Sequence, residues 1–268
     1  MGKSNQSTQE INSQAQNPLG TAPVGGLIAK FAIPAIISML VSAMYNIVDQ
    51  IFIGQGVGML GNAATNVAFP VTTIATALAL LLGIGGASNY NLEMGAGQEK
   101  KASGIAGTAL SSLVISGLIL AVIALVFLKP LLTLFGATTD VMPYAVDYTG
   151  ITALGLPFYI LSVGGNHVVR ADRSPTYSMT CIMIGAIINT ILDPVFIFVF
   201  GWGIKGAAWA TVIGQVVSGV LVIVYFWKFR NMYLTGAMLK PKMPYLKAII
   251  SLGLASCINQ IAMAIVQI

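Results

Sequence analysis

FAIPAIISMLVSAMYNIVDQIFI, residues Phe31 to Ile53, carries one charged side chain, Asp49, close to its far end. At a helical rise of about 1.5 Å per residue, such a stretch crosses the ~30 Å hydrocarbon core of a bilayer. A carboxylate at that depth costs free energy on every scale, so it persists only where it faces protein or water and binds something. The stretch reads as a membrane span built around a functional acid.

The same pattern recurs along the chain. Of 268 residues, 56% are hydrophobic and 8% charged, more apolar surface than a soluble monomer can hide from water. Apolar stretches of spanning length fall at roughly 27–53, 66–91, 103–128, 144–169, 176–200, 206–229 and 246–268. Short breakers separate them, at 54–61, 95–101, 129–140, 170–175, 201–205 and 231–244, and short links make neighbouring helices antiparallel. The expected fold is an all-α integral membrane protein. A polar, disordered cytoplasmic tail covers 1–24, a six-helix transmembrane lobe 25–230, a cytoplasmic linker 231–245, and an incomplete seventh helix 246–268.

The net charge of +5 would suggest nucleic acid in a soluble protein, but here the bases sit at the ends of spans. Counted on alternate sides, eleven Lys and Arg stand on one side and two, Lys129 and Lys205, on the other. By the positive-inside rule the amino terminus is cytoplasmic, in a multi-pass protein of the plasma membrane. Cys181 and Cys257 lie far apart in apolar segments, and His167 is the single histidine. No disulfide, metal centre, cofactor or catalytic pattern follows from these residues, so an enzyme is not expected. A faint echo of Ala32-Ile33-Pro34-Ala35 in Leu252-Gly253-Leu254-Ala255 suggests that the seventh span opens a second copy of the unit.

A second intramembrane acid, Asp193, follows Asn189 by four residues and so shares its helix face. Depth counted by helical rise puts Asp49, Asp193 and Thr211 at one level, roughly 6–10 Å below the outer boundary. Asn189 lies one turn deeper, and Asn166 joins the group if the fourth helix is tilted or broken. Two carboxylates with amide and hydroxyl oxygens suit a hard monovalent cation or a shared proton, since both acids cannot stay ionised together at low dielectric without one. The competing reading is that the acids are hydrogen-bonded glue between helices.

Pro34 and Pro194 leave the carbonyls of Lys30 and Thr190 without their helical donors, which makes hinges or static bends. Arg170-Ala171-Asp172-Arg173 reads as a solvated turn, and His167 as an interfacial histidine. Tyr45, Phe69, Tyr159, Met39 and Met44 are spaced as packing residues or as the lining of a cavity for flat cations.

Taken in order, Pro34 with Tyr45 through Gly54, Ala68-Phe69-Pro70, Gly95-Ala96-Gly97, Arg170-Ala171, Asn189 to Pro194 and Gly206 to Thr211 resemble the multidrug and toxic compound extrusion (MATE) family. The resemblance implies twelve helices in two six-helix lobes that export organic cations or drugs in exchange for Na+ or H+. It also implies a cation-coupling site at Asp49, Asn189, Asp193, Thr211 and Asn166. Arg173 departs from the pattern, which commonly has glycine there. The stop within the seventh helix implies a truncated chain whose partners are the lipid bilayer, small organic cations and the missing carboxy-terminal lobe, with no nucleic acid. Alternatives are a lipid-linked precursor flippase of related architecture, which would need basic residues in its cavity, and a non-transporting half-bundle.

Overall fold

A computed structural model describes residues 24–229 and 236–267. The expected disordered tail lies outside the described residues but for its last position, as does part of the linker. Helices α1 (Val24–Gly56), α2 (Met59–Gly95) and α3 (Glu99–Val126) lead to a short α4 (Leu128–Leu134). Next come α5 (Met142–Ala171), α6 (Pro175–Pro194), α7 (Ile204–Val224) and α8 (Met243–Gln267). Seven of these are long and apolar enough to cross a membrane, and no strand occurs among the described residues. The fold is therefore the all-α membrane bundle expected from the apolar spans. The 129–140 breaker differs from a plain loop, because Leu132 finds a fully buried seat and holds a short helix of about two turns.

Small residues let the helices close. A methyl on Gly83 would strike the backbone of Gly164, one on Gly86 the Cβ of Ala109, and one on Gly117 the backbone of Pro157, so α2, α3 and α5 meet nearly backbone to backbone. With no hydrophobic drive between helices in lipid, such close van der Waals contact does the work of a core.

The seventh span docks on the second. Gly85 abuts the carbonyl of Ile249, Gly253 abuts that of Leu81, and Asn89 Nδ2 donates to the carbonyl of Ala248 at 3.0 Å. By contrast, between Val24 and Val48 the only buried residue of α1 among those described is Ser38.

The Arg170–Arg173 turn is not the solvated turn that its composition suggests. Asp172 is 1% exposed and accepts the hydroxyl of Tyr90 at 2.9 Å and that of Tyr225 at 2.7 Å. Two tyrosines from α2 and from the extension of α7 satisfy the carboxylate that hydration would otherwise hold at the surface.

Candidate functional site

Two glycines bring α6 and α7 together about two turns before Asp193 on α6. Gly185 and Gly214 each face the other's carbonyl oxygen, and a Cβ on Gly214 would stand 3.2 Å from Cβ of Asn189. Asn189 Nδ2 thereby reaches both Asp193 Oδ1 and Thr211 Oγ1, each at 3.4 Å, long enough to be weak bonds. Beyond Pro194 the helix does not stop but widens into a π-wound turn, Val195–Val199. Gly201 and Gly203, both at positive φ, then turn the chain sharply into α7.

The far end of α1 is seated on that widened turn. Phe52 meets Phe198 edge to face at 6.2 Å between ring centroids, Ile53 is fully buried, and Gly56 lies against Ile197. This contact carries Asp49, 6% exposed, to Asp193, 0% exposed, so that the two carboxyl groups come within hydrogen-bonding reach of each other. Asp49 Oδ1, Asp193 Oδ2 and Asn189 Oδ1 are buried with no hydrogen-bond partner. Buried polar atoms are normally satisfied, so three orphaned acceptors at one spot amount to a site that asks for a positive charge. The donor set is all oxygen, which fits a hard cation or a proton shared between acids.

Asp49, Asp193, Asn189 and Thr211 thus come together. Asn166 does not join them. It lies eighteen residues beyond Tyr148 on α5, about 27 Å on the helical rise, and its amide donates to the carbonyl of Ser162 at 2.7 Å. No break in the fourth span brings it nearer, because α5 runs unbroken from Met142 to Ala171.

Tyr148 is the residue that sequence reasoning missed. It stands beside Asp49 and within hydrogen-bonding reach of Thr211. The depth count could have found it: six residues from the start of α5, about 9 Å in, it shares the level of Thr211. Tyr45 also borders both acids and neighbours Tyr159, whose hydroxyl lies 2.8 Å from that of Thr76. Tyr45 and Tyr159 are partly buried, whereas Met39, Met44 and Phe69 are exposed at 72%, 64% and 48% and pack against little of the bundle. At Pro34 the helix continues without interruption, and Ser38 Oγ donates to the proline carbonyl at 2.7 Å.

A model of the MatE family matches residues 34–195. The multidrug export protein MepA of Staphylococcus haemolyticus is 31% identical over 73% of this chain and 43% of its own length. An FAD transporter of Shewanella oneidensis is 33% identical over 76% of this chain and 47% of its own. Among solved structures, a MOP superfamily transporter from Pyrococcus furiosus, reported with a binding pocket of reverse polarity, superposes with a TM-score of 0.82 at 30% identity. It covers 89% of this chain and 53% of its own. The chain spans about half the length of the relatives it matches.

Proposed function

The chain belongs to the MatE family of membrane transporters, and from that premise we propose that it supplies the ion-coupling lobe of a secondary antiporter. The transporter exports organic cations or drugs in exchange for Na+ or H+, from a plasma membrane in which the amino terminus is cytoplasmic. It is a carrier and not an enzyme. One observation carries this reading: two buried carboxyls from α1 and α6 face each other with oxygens that nothing else in the bundle satisfies.

The coupling follows from electrostatics. With a cation or proton between them, Asp49 and Asp193 hold α1 against α6; without one, two like charges at low dielectric repel. Asn189 and Thr211 keep Asp193 oriented, and Tyr148 closes the site from α5. The element free to respond is the thinly packed first half of α1, with Pro34 as its hinge, while the π turn after Pro194 gives α6 its bend. Movement of α1 relative to α6 opens or closes the cavity shared with the other half of the transporter. No Lys or Arg occupies the middle of a span, which favours cationic cargo over the anionic headgroup that a flippase would carry.

The test is efflux of a fluorescent organic cation such as ethidium from a drug-sensitive host expressing the protein. Asp49→Asn is expected to reduce ion-driven efflux to background at unchanged membrane abundance. Full efflux in that variant would contradict the proposal.

A further inference from the structure

A second polar site lies at the opposite end of the bundle, near the last turn of α5. A cavity of about 670 Å³ opens there between α1, α2 and α5. His167, Arg170 and Arg173 line it, together with the polar side chains of Ser88, Tyr90 and Asn91. No carboxylate belongs to its lining. Of the two acids nearest in sequence, Asp172 lies just behind the wall and accepts the hydroxyls of Tyr90, itself a lining residue, and Tyr225, while Glu93 pairs with Lys101 at 2.7 Å.

The geometry of the two arginines departs from that of ordinary orientation signals. Arg170 donates its Nε to Ser178 Oγ at 2.9 Å, which fixes the guanidinium and leaves its terminal amino groups as a fork. Arg173 is the only non-glycine residue at positive φ among those described, at 64°. That left-handed residue closes the carboxy-terminal cap of α5, where the amide of Ser174 donates to the carbonyl of Val169 at 3.3 Å, and the cap sets the Arg173 side chain at the cavity lining. Basic pockets between helices at the lipid headgroup level are where phosphate-bearing ligands bind, because forked N–H donors match phosphate oxygens.

We propose that this cavity binds a phosphate group at the base-rich end of the bundle, through Arg170 and Arg173 with His167, Ser88 and Asn91 as further hydrogen-bonding partners. Its ligand is the headgroup of an anionic lipid or a soluble phosphate compound. Arg170 lies about six helical turns from Tyr148 beside the paired acids along α5, and the site stands whether or not those acids couple to transport.

Native mass spectrometry of the purified chain tests this, with phosphatidylglycerol, phosphatidylcholine or inorganic phosphate as the probe. Arg173→Gly removes the charge at a position whose backbone conformation glycine adopts readily, and unchanged thermal unfolding of the variant separates loss of the contact from loss of the fold. The expected result is that phosphatidylglycerol binds in preference to phosphatidylcholine and that Arg173→Gly weakens it roughly tenfold, as for loss of a charge-assisted bond. Arg170→Gln with Arg173→Gly is expected to abolish the preference, while Lys100→Gln, on the same end but outside the cavity, leaves it intact. Lipid that resists millimolar phosphate assigns the site to headgroups; lipid displaced by phosphate assigns it to soluble phosphates. Equal binding by wild type and the double variant, or an equal loss in Lys100→Gln, would overturn the proposal.

Discussion

Helices α1 and α2 are both apolar and of spanning length, yet 6% of the apolar window of α1 is buried in the bundle against 44% for α2. Their small residues explain the difference. In α2, Ala75, Ala79, Gly83 and Gly86 let neighbours approach at the backbone. In α1, Ile33, Ile36, Met39, Leu40, Met44 and Ile47 form a bulky exposed face, while the other side lies along α6 and only Ser38, Asp49 and Ile53 are buried among the described residues. The paired acids therefore sit on a boundary, one on α6 inside the bundle and the other on a helix with one face uncovered. On the proposed reading, a charge bound there acts on the least buried of the spanning helices.

Spoiling the packing of α2 should have the largest effect on the fold. Gly85→Leu drives a side chain into the backbone of α8 and should lower stability by about 1–3 kcal/mol, read as earlier unfolding in a detergent titration. Thr211→Val removes a hydroxyl from the site and should weaken ion affinity roughly fivefold, about 1 kcal/mol, with little change in unfolding. An equal loss of stability and affinity would mean that Thr211 is merely structural. Asp49→Asn should leave the folded state intact or raise its melting temperature slightly, since an amide can donate to Asp193 where a carboxylate repels it. Smallest of all, Ile36→Ala on the exposed face of α1 should change stability by no more than ~0.5 kcal/mol; a large loss would show that this face is packed after all.

Most of the fold was legible because membrane spans are written in composition: each apolar stretch became a helix, with ends displaced by a few residues where backbone hydrogen bonding outlasts hydropathy. The acids were legible for the same reason, since a carboxylate among Ile and Val stands out. Tyr148 was not, because tyrosine is unremarkable near a membrane boundary and only the partner helix reveals what it faces. Asp172 was misread because a charged turn between spans looks hydrated, and its burial depends on Tyr90 and Tyr225, which lie 82 and 53 residues away. Asn166 depends on a tilt or break in the fourth span to reach the acids, and α5 runs unbroken past them. Depth along a helix can be counted, whereas rotation about its axis and the approach of distant helices cannot.

Infrared difference spectroscopy of the purified protein tests the paired-acid site most directly, because it reads the carboxyl groups themselves. A paired-acid site gives a protonated carboxyl band, bleached by alkali or by Na+, that is missing from both Asp49→Asn and Asp193→Asn. Spectra of wild type and the two variants that coincide, with no response to either ion, would contradict it.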